Sequence, residues 1–313
     1  MDAVIKNLDE LDIRTSRLFE VRLAHIKELA REMLLSSGYL SGMPFDASLL
    51  QRLREAYRSA RGGVIRDSAE ETRAVIDVFG ERFDNLELAQ LARFIREAAG
   101  IRETTSVSGF FHTSGEGLPS SALGKVACMQ NVYTDTAYSR FEALLQKPTA
   151  IYFDSFTAIC EEVAYGRCEY CILPIENSDD GKLFAFYKLL SQNELNIVLA
   201  TRVALTDDFQ STYFALVKKG VESVVPLTSD ERKYFEFCIG SDVGIDIGDL
   251  FTVAKLFDIS VYKVDSAPRT YSDNEFEYYI VLDVTDADLY SFLIYLYLKT
   301  PNVSPVGIYT KIK

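Results

Sequence analysis

Three consecutive polar residues, Glu176, Asn177 and Ser178, follow an apolar stretch almost directly in the segment CEYCILPIENSDDG. The apolar residues 171–173 predict a buried strand, and the Pro and Gly around the polar residues predict that it ends there. Carboxylate, amide and hydroxyl groups can orient a small ligand, and open α/β sheets bind ligands at the carboxyl ends of their strands. The segment therefore predicts a binding site. The alternative interpretation is a helix cap, since Asn and Ser are good N-caps.

Three threonines are expected to reach the same strand end. Thr134, Thr136 and Thr212 each follow or begin a neighbouring predicted strand. Their hydroxyl groups should therefore converge on residues 176–178 and add hydrogen-bonding groups for a ligand. The alternative is that they are ordinary polar residues of turns and strand ends.

Arg22 is a cation on the apolar side of a predicted helix. It follows Leu18 by four residues and precedes Ile26 by four, a spacing that places all three on one helix face. A cation on a core face needs an anion, which is either a bound ligand or a carboxylate of the protein itself. Arg22 is therefore a candidate ligand-binding residue, with an internal ion pair as the alternative.

The chain divides into four segments of different pattern. Its 313 residues exceed the roughly 250–300 at which single cores usually split into domains. Residues 1–103 have helical periodicity, 104–124 are a linker rich in Ser, Thr and Gly, 125–220 alternate strands with helices, and 221–313 have the order βαββαβ. The predicted fold class is multidomain α plus α/β, with a helical bundle, a single α/β lobe and a C-terminal ferredoxin-like domain.

Composition and charge argue against several classes of partner. The formal net charge of −13 would repel a polyphosphate backbone, so nucleic acid is not expected. No apolar run approaches the roughly 18 residues of a membrane span. The start of the chain has no apolar signal-peptide core, and the five cysteines fit reduced thiols in a cytoplasm. His25 and His112 have no metal-ligand spacing, so neither a metal nor a cofactor is predicted.

A resemblance to prephenate dehydratases rests on three segments. The family's Pro-Ile-Glu-Asn-Ser signature is similar to ILPIENSDDGKLFAFYKLL, its opening strand and turn to VACMQNVYTDTAYS, and its Thr-Arg-Phe motif to QSTYFALV. The βαββαβ tail resembles the ACT domain that senses phenylalanine. The first helix of helical chorismate mutases is similar to LDELDIRTSRLFEVRLAHIKELA. Together the segments resemble the bifunctional chorismate mutase/prephenate dehydratase of phenylalanine biosynthesis.

The resemblance implies roles for the polar residues. Thr134, Thr136 and residues 176–178 would bind substrate, and Arg22 matches a substrate-binding arginine of the mutases. Prephenate dehydratases convert prephenate to phenylpyruvate by dehydration and decarboxylation, so an acid must help the hydroxyl leave. Thr212 is the candidate for that donor.

The sequence also departs from the family. Residues 125–219 leave room for one α/β lobe where the family has two. Tyr213 replaces the motif arginine, which could clamp a carboxylate of prephenate with paired hydrogen bonds. In the mutase-like half, Met33, Leu49 and Leu50 replace charged residues of the family. These departures favour a catalytically inactive ligand-binding or regulatory protein. The alternative is a divergent prephenate dehydratase, with or without chorismate mutase activity.

Two further expectations concern partners. The first helix, residues 8–35, has a wide apolar face that predicts a homodimer, and the resemblance implies a small aromatic or shikimate-pathway ligand. The tail is not expected to sense phenylalanine, because residues 244–246 match the ACT ligand loop poorly and Ala267 replaces a signature arginine.

Overall fold

The structure of the protein is a computed structural model. It describes residues 2–39, 43, 45–64, 71–102, 105–111, 118–204, 210–221, 224, 231–241, 246–268, 276–300 and 303–313, and the side chains of 2–4, 61–64 and 71–84 are not part of that description. Three residues of the sequence predictions, His112, Gly244 and Ile245, therefore lie outside the described residues.

Helices and strands follow one another in an order close to the predicted one. The helices are α1 Asp2–Ser36, α2 Ala47–Val64, α3 Glu71–Ala98, α4 Val132–Glu142, α5 Phe156–Ala164, α6 Phe184–Gln192, α7 Ile247–Leu256 and α8 Leu289–Lys299. The strands are β1 Lys125–Met129, β2 Thr149–Phe153, β3 Tyr170–Asn177, β4 Gly181–Lys182, β5 Leu195–Val203, β6 Thr212–Lys219, β7 Lys233–Gly240, β8 Ser260–Pro268, β9 Phe276–Asp283 and β10 Ser304–Ile312.

Two compact units share these elements. The first contains residues 1–102, 247–257 and 289–301 and is helical, with α1, α2, α3, α7 and α8. This confirms a helical N-terminal region for the described residues. The second unit contains residues 103–246, 258–288 and 302–313 and carries the ten strands found among the described residues.

One mixed sheet joins strands from both predicted C-terminal segments. The strand order is β2-β1-β3-β6-β5-β10-β7-β9-β8, and β4 pairs with β3. The last strand, β10, runs parallel to β5 and antiparallel to β7, so hydrogen bonding is continuous across the proposed boundary at residue 220. The order βαββαβ is present from β7 to β10, but helices α7 and α8 belong to the helical unit.

Strand β8 lies at one end of this order, yet its side chains contact β3 and β4. Lys263 Nζ lies 3.0 Å from Glu176 Oε1, and Asp265 Oδ2 lies 3.5 Å from Lys182 Nζ. Five strands separate β8 from β3 in the sheet, which in a flat sheet would place them roughly 29 Å apart at about 4.8 Å a strand. The sheet therefore curls until β8 faces β3. We call the concave side, which carries Glu176, Lys182 and Lys263, the inner face.

Alternating residues of the strands build apolar cores on both sides of the sheet. Ala127 of β1 packs in one core with α5 and α6, while its neighbours Val126 and Cys128 pack in the other with α4. Side chains of consecutive strand residues point to opposite faces, so a strand that is buried on both sides is apolar throughout. This explains the uninterrupted apolar run of β3 and places α4 and α5 beside its carboxyl end.

Candidate functional site

The Glu-Asn-Ser triplet lies where β3 ends, as predicted, and shapes a turn there. Asn177 Oδ1 accepts a hydrogen bond from the backbone N–H of Asp179 at 3.0 Å, and its Nδ2 donates to Asp180 Oδ2 at 2.9 Å. These local bonds are those of an Asx turn. Helix α6 begins only after Leu183, which forms no side-chain cap. Asn177 and Ser178 therefore do not cap that helix.

Ser178 ties this turn to the start of β6. Its backbone N–H donates to Ser211 O at 3.0 Å, and its Oγ accepts from the Ser211 N–H at 3.2 Å. Thr212 is the next residue and opens β6, where it pairs with Asn177 across the antiparallel ladder. The polar residues of β3 and β6 are thus held together by backbone geometry, which requires no ligand.

Helix α4 brings one of the two candidate threonines to the same place. Asn131 caps the helix, its side chain accepting from the Thr134 N–H at 2.9 Å, and Thr134 is 1% exposed. Thr136 lies further along the helix, where its hydroxyl donates to Val132 O one turn back at 2.7 Å. Two positions along a helix differ by about 200° in direction, so the two threonines face different surroundings.

A cleft of about 400 Å³ collects four of the candidate residues. Thr134, Asn177, Ser178 and Thr212 line it, whereas Thr136 and Glu176 do not. The other lining residues are polar or apolar groups that the sequence did not single out: Asn131, Tyr133, Phe156, Pro174, Asp179, Leu183, Gln210, Ser211 and Phe214.

The electrostatic character of the cleft is negative. Among the described residues that line it, Asp179 alone is charged, and Gln210 Nε2 donates to its Oδ2 at 3.2 Å. No Lys or Arg is among the described lining residues. The cleft therefore offers hydroxyl, amide and carboxylate groups beside the rings of Phe156 and Phe214, and it suits hydrogen bonds to a ligand of low charge.

Glu176 lies on the inner face instead. Its carboxylate accepts a hydrogen bond from Lys263 Nζ at 3.0 Å. Burial alone would lower the pKa of Lys263, but the bond to Glu176 and the charges of Glu176 and Asp265 raise it above the ordinary value. The acidic residue of the triplet is thus already neutralised by a lysine of β8.

Tyr213, at the family's arginine position, points away from the cleft. Its neighbours Thr212 and Phe214 line the cleft while Tyr213 does not, as strand alternation requires. Lys311 Nζ lies 5.0 Å from the centre of the Tyr213 ring, and burial raises the pKa of this phenol. A side chain at position 213 therefore contributes to the inner face.

Arg22 forms an ion pair with Glu87 of α3, and its side chain is 41% exposed. The alternative to a bound ligand was an internal ion pair, and Glu87 provides its carboxylate. Arg22 is nevertheless more exposed than a core position implies. Met33, Leu49 and Leu50 are at most 2% exposed and belong to the apolar core.

Asp46, the residue directly before α2, acts as a helix cap. Its Oδ1 accepts from the Leu49 N–H at 2.8 Å and from Ser48 Oγ at 2.7 Å. These bonds lower the pKa of its carboxyl below the ordinary value. An N-cap that bonds the third helical N–H stabilises the start of a helix, and this accounts for Asp46 without a ligand.

Among the part of the chain that the structure describes, no cluster of three metal-ligating side chains occurs, and no helix is both long and apolar enough to cross a membrane.

Comparison with known proteins bears on the segment that builds the cleft. Residues 129–213 match the family model of prephenate dehydratase. All six candidate residues of the α/β half fall within this segment, and so do Tyr213 and all the residues that line the cleft except Phe214. A search of curated protein sequences found no match.

Solved structures share the fold over part of the chain. Prephenate dehydratase from Streptococcus mutans superposes with a TM-score of 0.50 and 15% identity, covering 60% of this chain and 99% of that one. This likeness supports a shared fold, and its coverage gives no support to the predicted loss of a lobe. GqqA, described as a quorum quenching acylase, has a TM-score of 0.47 at 17% identity over 59% of this chain and 94% of that one.

The prephenate dehydratase of Arthrobacter aurescens in complex with L-Phe has a TM-score of 0.45 at 14% identity, over 59% of this chain and 90% of that one.

Sequence reasoning missed several lining residues for which weak signals existed. Asn131 is of a residue type that is favoured at helix N-caps, and Ser211 directly precedes Thr212. Asp179 and Gln210 carry no comparable signal, because only the turn between β3 and β4 and its contact with the chain before β6 bring them to the cleft.

Proposed function

We propose that this protein is a relative of the enzymes of phenylalanine biosynthesis that binds a small aromatic or shikimate-pathway ligand of low charge and does not convert prephenate. The match of residues 129–213 to the prephenate dehydratase family model supports the relationship. The single observation that carries the loss of activity is the cleft itself, in which no described lining residue is a cation.

Prephenate is a poor match for this cleft on electrostatic grounds. It carries two carboxylates, and recognition of each favours a guanidinium or an ammonium that forms charge-assisted hydrogen bonds. The cleft instead presents the carboxylate of Asp179, which repels an anion. A neutral ring with hydroxyl groups fits better, because Phe156 and Phe214 offer apolar surface and Thr134, Asn177 and Thr212 offer hydrogen bonds.

A turnover assay separates this proposal from a divergent dehydratase. We expect no phenylpyruvate above background from prephenate, and none from chorismate through a mutase step. Thr212 would be the acid of the alternative, so phenylpyruvate formation that Thr212→Val abolishes and Thr136→Val preserves would establish the enzyme. Thr136 is the matched control because its hydroxyl is bonded within α4, outside the cleft.

Binding is tested by thermal shift with a panel of shikimate-pathway intermediates and aromatic amino acids. Stabilisation by a ligand of low charge should fall in Thr212→Val and Asn177→Leu and persist in Thr136→Val. Loss of one hydrogen bond costs about 1 kcal/mol, or roughly fivefold in affinity. Stabilisation that is equal in all three variants would place the ligand elsewhere.

The helical half is proposed to be a mutase-like region without mutase activity. Its candidate cation Arg22 is paired with Glu87, and Met33, Leu49 and Leu50 are apolar core residues at positions where the mutases carry charges. The tail is proposed to be ACT-like without phenylalanine sensing, and calorimetry with phenylalanine tests this directly.

A homodimer and a cytoplasmic location complete the proposal. Helix α1 leaves Leu8, Leu11 and Leu18 at least 55% exposed, and a second copy could cover this apolar row. The five cysteines are free thiols, as is usual in a reducing compartment. Sedimentation of a monomer at micromolar concentration would contradict the dimer, and Leu18→Asp should lower the self-affinity.

A further inference from the structure

The inner face of the curled sheet holds a second group of charged and aromatic side chains, separate from the cleft. It is built by strands that are distant in sheet order, since β8 lies against β3 and β4. A bulge in β8 falls between Val261 and Lys263, and Tyr262 is the residue that it leaves unpaired. Bulges redirect side chains, and here both Tyr262 and Lys263 reach partners across the inner face.

Two lysines of the inner face are neutralised by its carboxylates. Lys182 is 6% exposed and pairs with Glu236, while Asp265 Oδ2 lies 3.5 Å from its ammonium. Lys263 lies 3.0 Å from Glu176 and 3.4 Å from Asp265. Each of the carboxylates of Glu176, Glu236 and Asp265 therefore lies within 4.0 Å of one of these two ammonium groups.

Lys311 of β10 differs from Lys182 and Lys263 because its ammonium lies among tyrosine rings. Its Nζ lies 5.0 Å, 5.1 Å and 4.4 Å from the ring centres of Tyr213, Tyr234 and Tyr262. The hydroxyl of Tyr262 is its oxygen acceptor, at 3.4 Å, and among the described residues no carboxylate lies within 4.0 Å of it. An ammonium has three N–H donors, so two of them point to no oxygen of the described residues.

A second cation, Arg202, lies near Lys311 and its three tyrosine rings. Arg202 faces Tyr213 across the β5–β6 ladder, and cross-strand neighbours share a face of the sheet. Its Nε donates to Ser211 Oγ at 2.9 Å, and its charge counteracts the rise in the pKa of Tyr213 that burial causes. Three tyrosine rings therefore surround the Lys311 ammonium and a second cation lies nearby, whereas Asp179 is the one charged group among the described residues that line the cleft.

We propose that Lys311, Tyr213, Tyr234, Tyr262 and Arg202 form a binding site for a small aromatic carboxylate. The carboxylate accepts from the two N–H donors of Lys311 and lies within the field of Arg202. The ring of the ligand packs against Tyr262, which is 47% exposed, and against the edge of Tyr213. The tyrosine rings make a planar apolar partner more favourable than a compact inorganic anion, which would gain nothing from them.

The test uses benzoate as the probe and the full chain. The protein is labelled with ¹³C at lysine, and the Cε resonances are followed during the titration. We expect a saturable shift of the Lys311 resonance, identified by its disappearance in Lys311→Arg. Cyclohexanecarboxylate should bind more weakly than benzoate, and inorganic phosphate should not compete with it.

Variants then assign the contributions. Lys311→Met should weaken benzoate binding roughly tenfold or more, as expected for loss of a charge-assisted hydrogen bond, and Arg202→Gln should weaken it less. The matched control Lys188→Met removes an exposed charge of α6, and it should leave the affinity unchanged.

The labelled wild-type chain keeps the proposal testable if Lys311→Met does not fold. Absence of a saturable Lys311 shift, or benzoate affinity that Lys311→Met leaves intact, would overturn the site. Phosphate binding as tight as benzoate would overturn its aromatic specificity. Thr212→Val should not change benzoate binding, so failure of this site is distinguishable from failure of the cleft.

Discussion

The cleft and the inner face are two polar environments built by the same pair of strands. Thr212 and Asn177 line the cleft, while their chain neighbours Tyr213 and Glu176 face the inner side. The cleft holds hydroxyls and the carboxylate of Asp179, with no cation among its described lining residues, whereas the inner face holds lysine–carboxylate pairs and a group of tyrosine rings. A contiguous motif in a strand therefore divides between two surfaces, and its residues need not share one function.

The two regions should also differ in what they do for the protein. Lys182 and Glu236 of the inner face are buried and paired, so they bear on stability, whereas cleft residues are tied mainly by backbone bonds and bear on binding. Three experiments test or refine this contrast, in order of decreasing effect.

Breaking the buried ion pair should give the largest effect. Glu236 is 0% exposed, bonds Lys182 and accepts from the Tyr309 hydroxyl at 2.8 Å. Glu236→Gln leaves the buried ammonium of Lys182 with Asp265, 3.5 Å away, as its remaining counter-charge. We expect a loss of about 3 kcal/mol in the free energy of unfolding, the lower end of the range for a broken buried ion pair. Urea denaturation measures it.

The cleft supplies the control for that measurement. Thr212→Val should change the free energy of unfolding by less than about 1 kcal/mol. The double variant Lys182→Met/Glu236→Leu should recover much of the lost stability, because both charges are removed. A Glu236→Gln protein as stable as Thr212→Val would contradict the contrast between the two regions.

Adding a cation tests which surface each position faces. Gln210 lines the cleft and Tyr213 does not, so Gln210→Arg should improve the binding of an anionic ligand such as prephenate in the cleft by roughly tenfold. Tyr213→Arg should not, and it should not restore phenylpyruvate formation. Calorimetry measures the binding of prephenate, and the turnover assay measures the formation of phenylpyruvate. Recovery of dehydration by Tyr213→Arg alone would refute both the assignment of Tyr213 to the inner face and the proposed inactivity.

The smallest effect concerns the alkaline pH dependence of stability. The pKa of Lys263 is raised in the folded state above its ordinary value of 10.5, because Glu176 and Asp265 outweigh the effect of burial. The stabilisation is therefore complete below pH 10.5 and is lost as the pH rises through the folded-state pKa.

Urea denaturation between pH 9 and 11.5 checks this dependence. The free energy of unfolding should fall less steeply with pH in Lys263→Met than in the wild type. In Lys188→Met it should fall as steeply as in the wild type. Other groups of the protein also ionise at alkaline pH, so the difference between the two variants is the informative quantity. Identical slopes in both would exclude a contribution from Lys263.

Local patterns were sufficient for the elements and for part of the site. The apolar run before Pro174 and the periodicity of the first hundred residues predict β3 and the N-terminal helices, because both depend on neighbours in sequence. Strand ends meet at one edge of a sheet, and this brings four of the candidate residues to one cleft: Thr134, Asn177, Ser178 and Thr212. Thr136 was misplaced because its direction depends on where α4 begins, and Asn131 sets that start.

The amino-acid sequence by itself determined which residues are apolar, which stretches alternate and which short motifs resemble prephenate dehydratases. The tertiary structure alone decided that β10 lies between β5 and β7 in the sheet. It also decided that the sheet curls until Lys263 contacts Glu176, and that the Lys311 ammonium lies among three tyrosine rings. Pairings such as these join residues far apart in the chain, and the periodicity of a strand shows only that it has two faces. It does not show which residues will pack against each face. For Glu176 and Tyr213 these neighbours, Lys263 and Lys311, decide the role of the side chain.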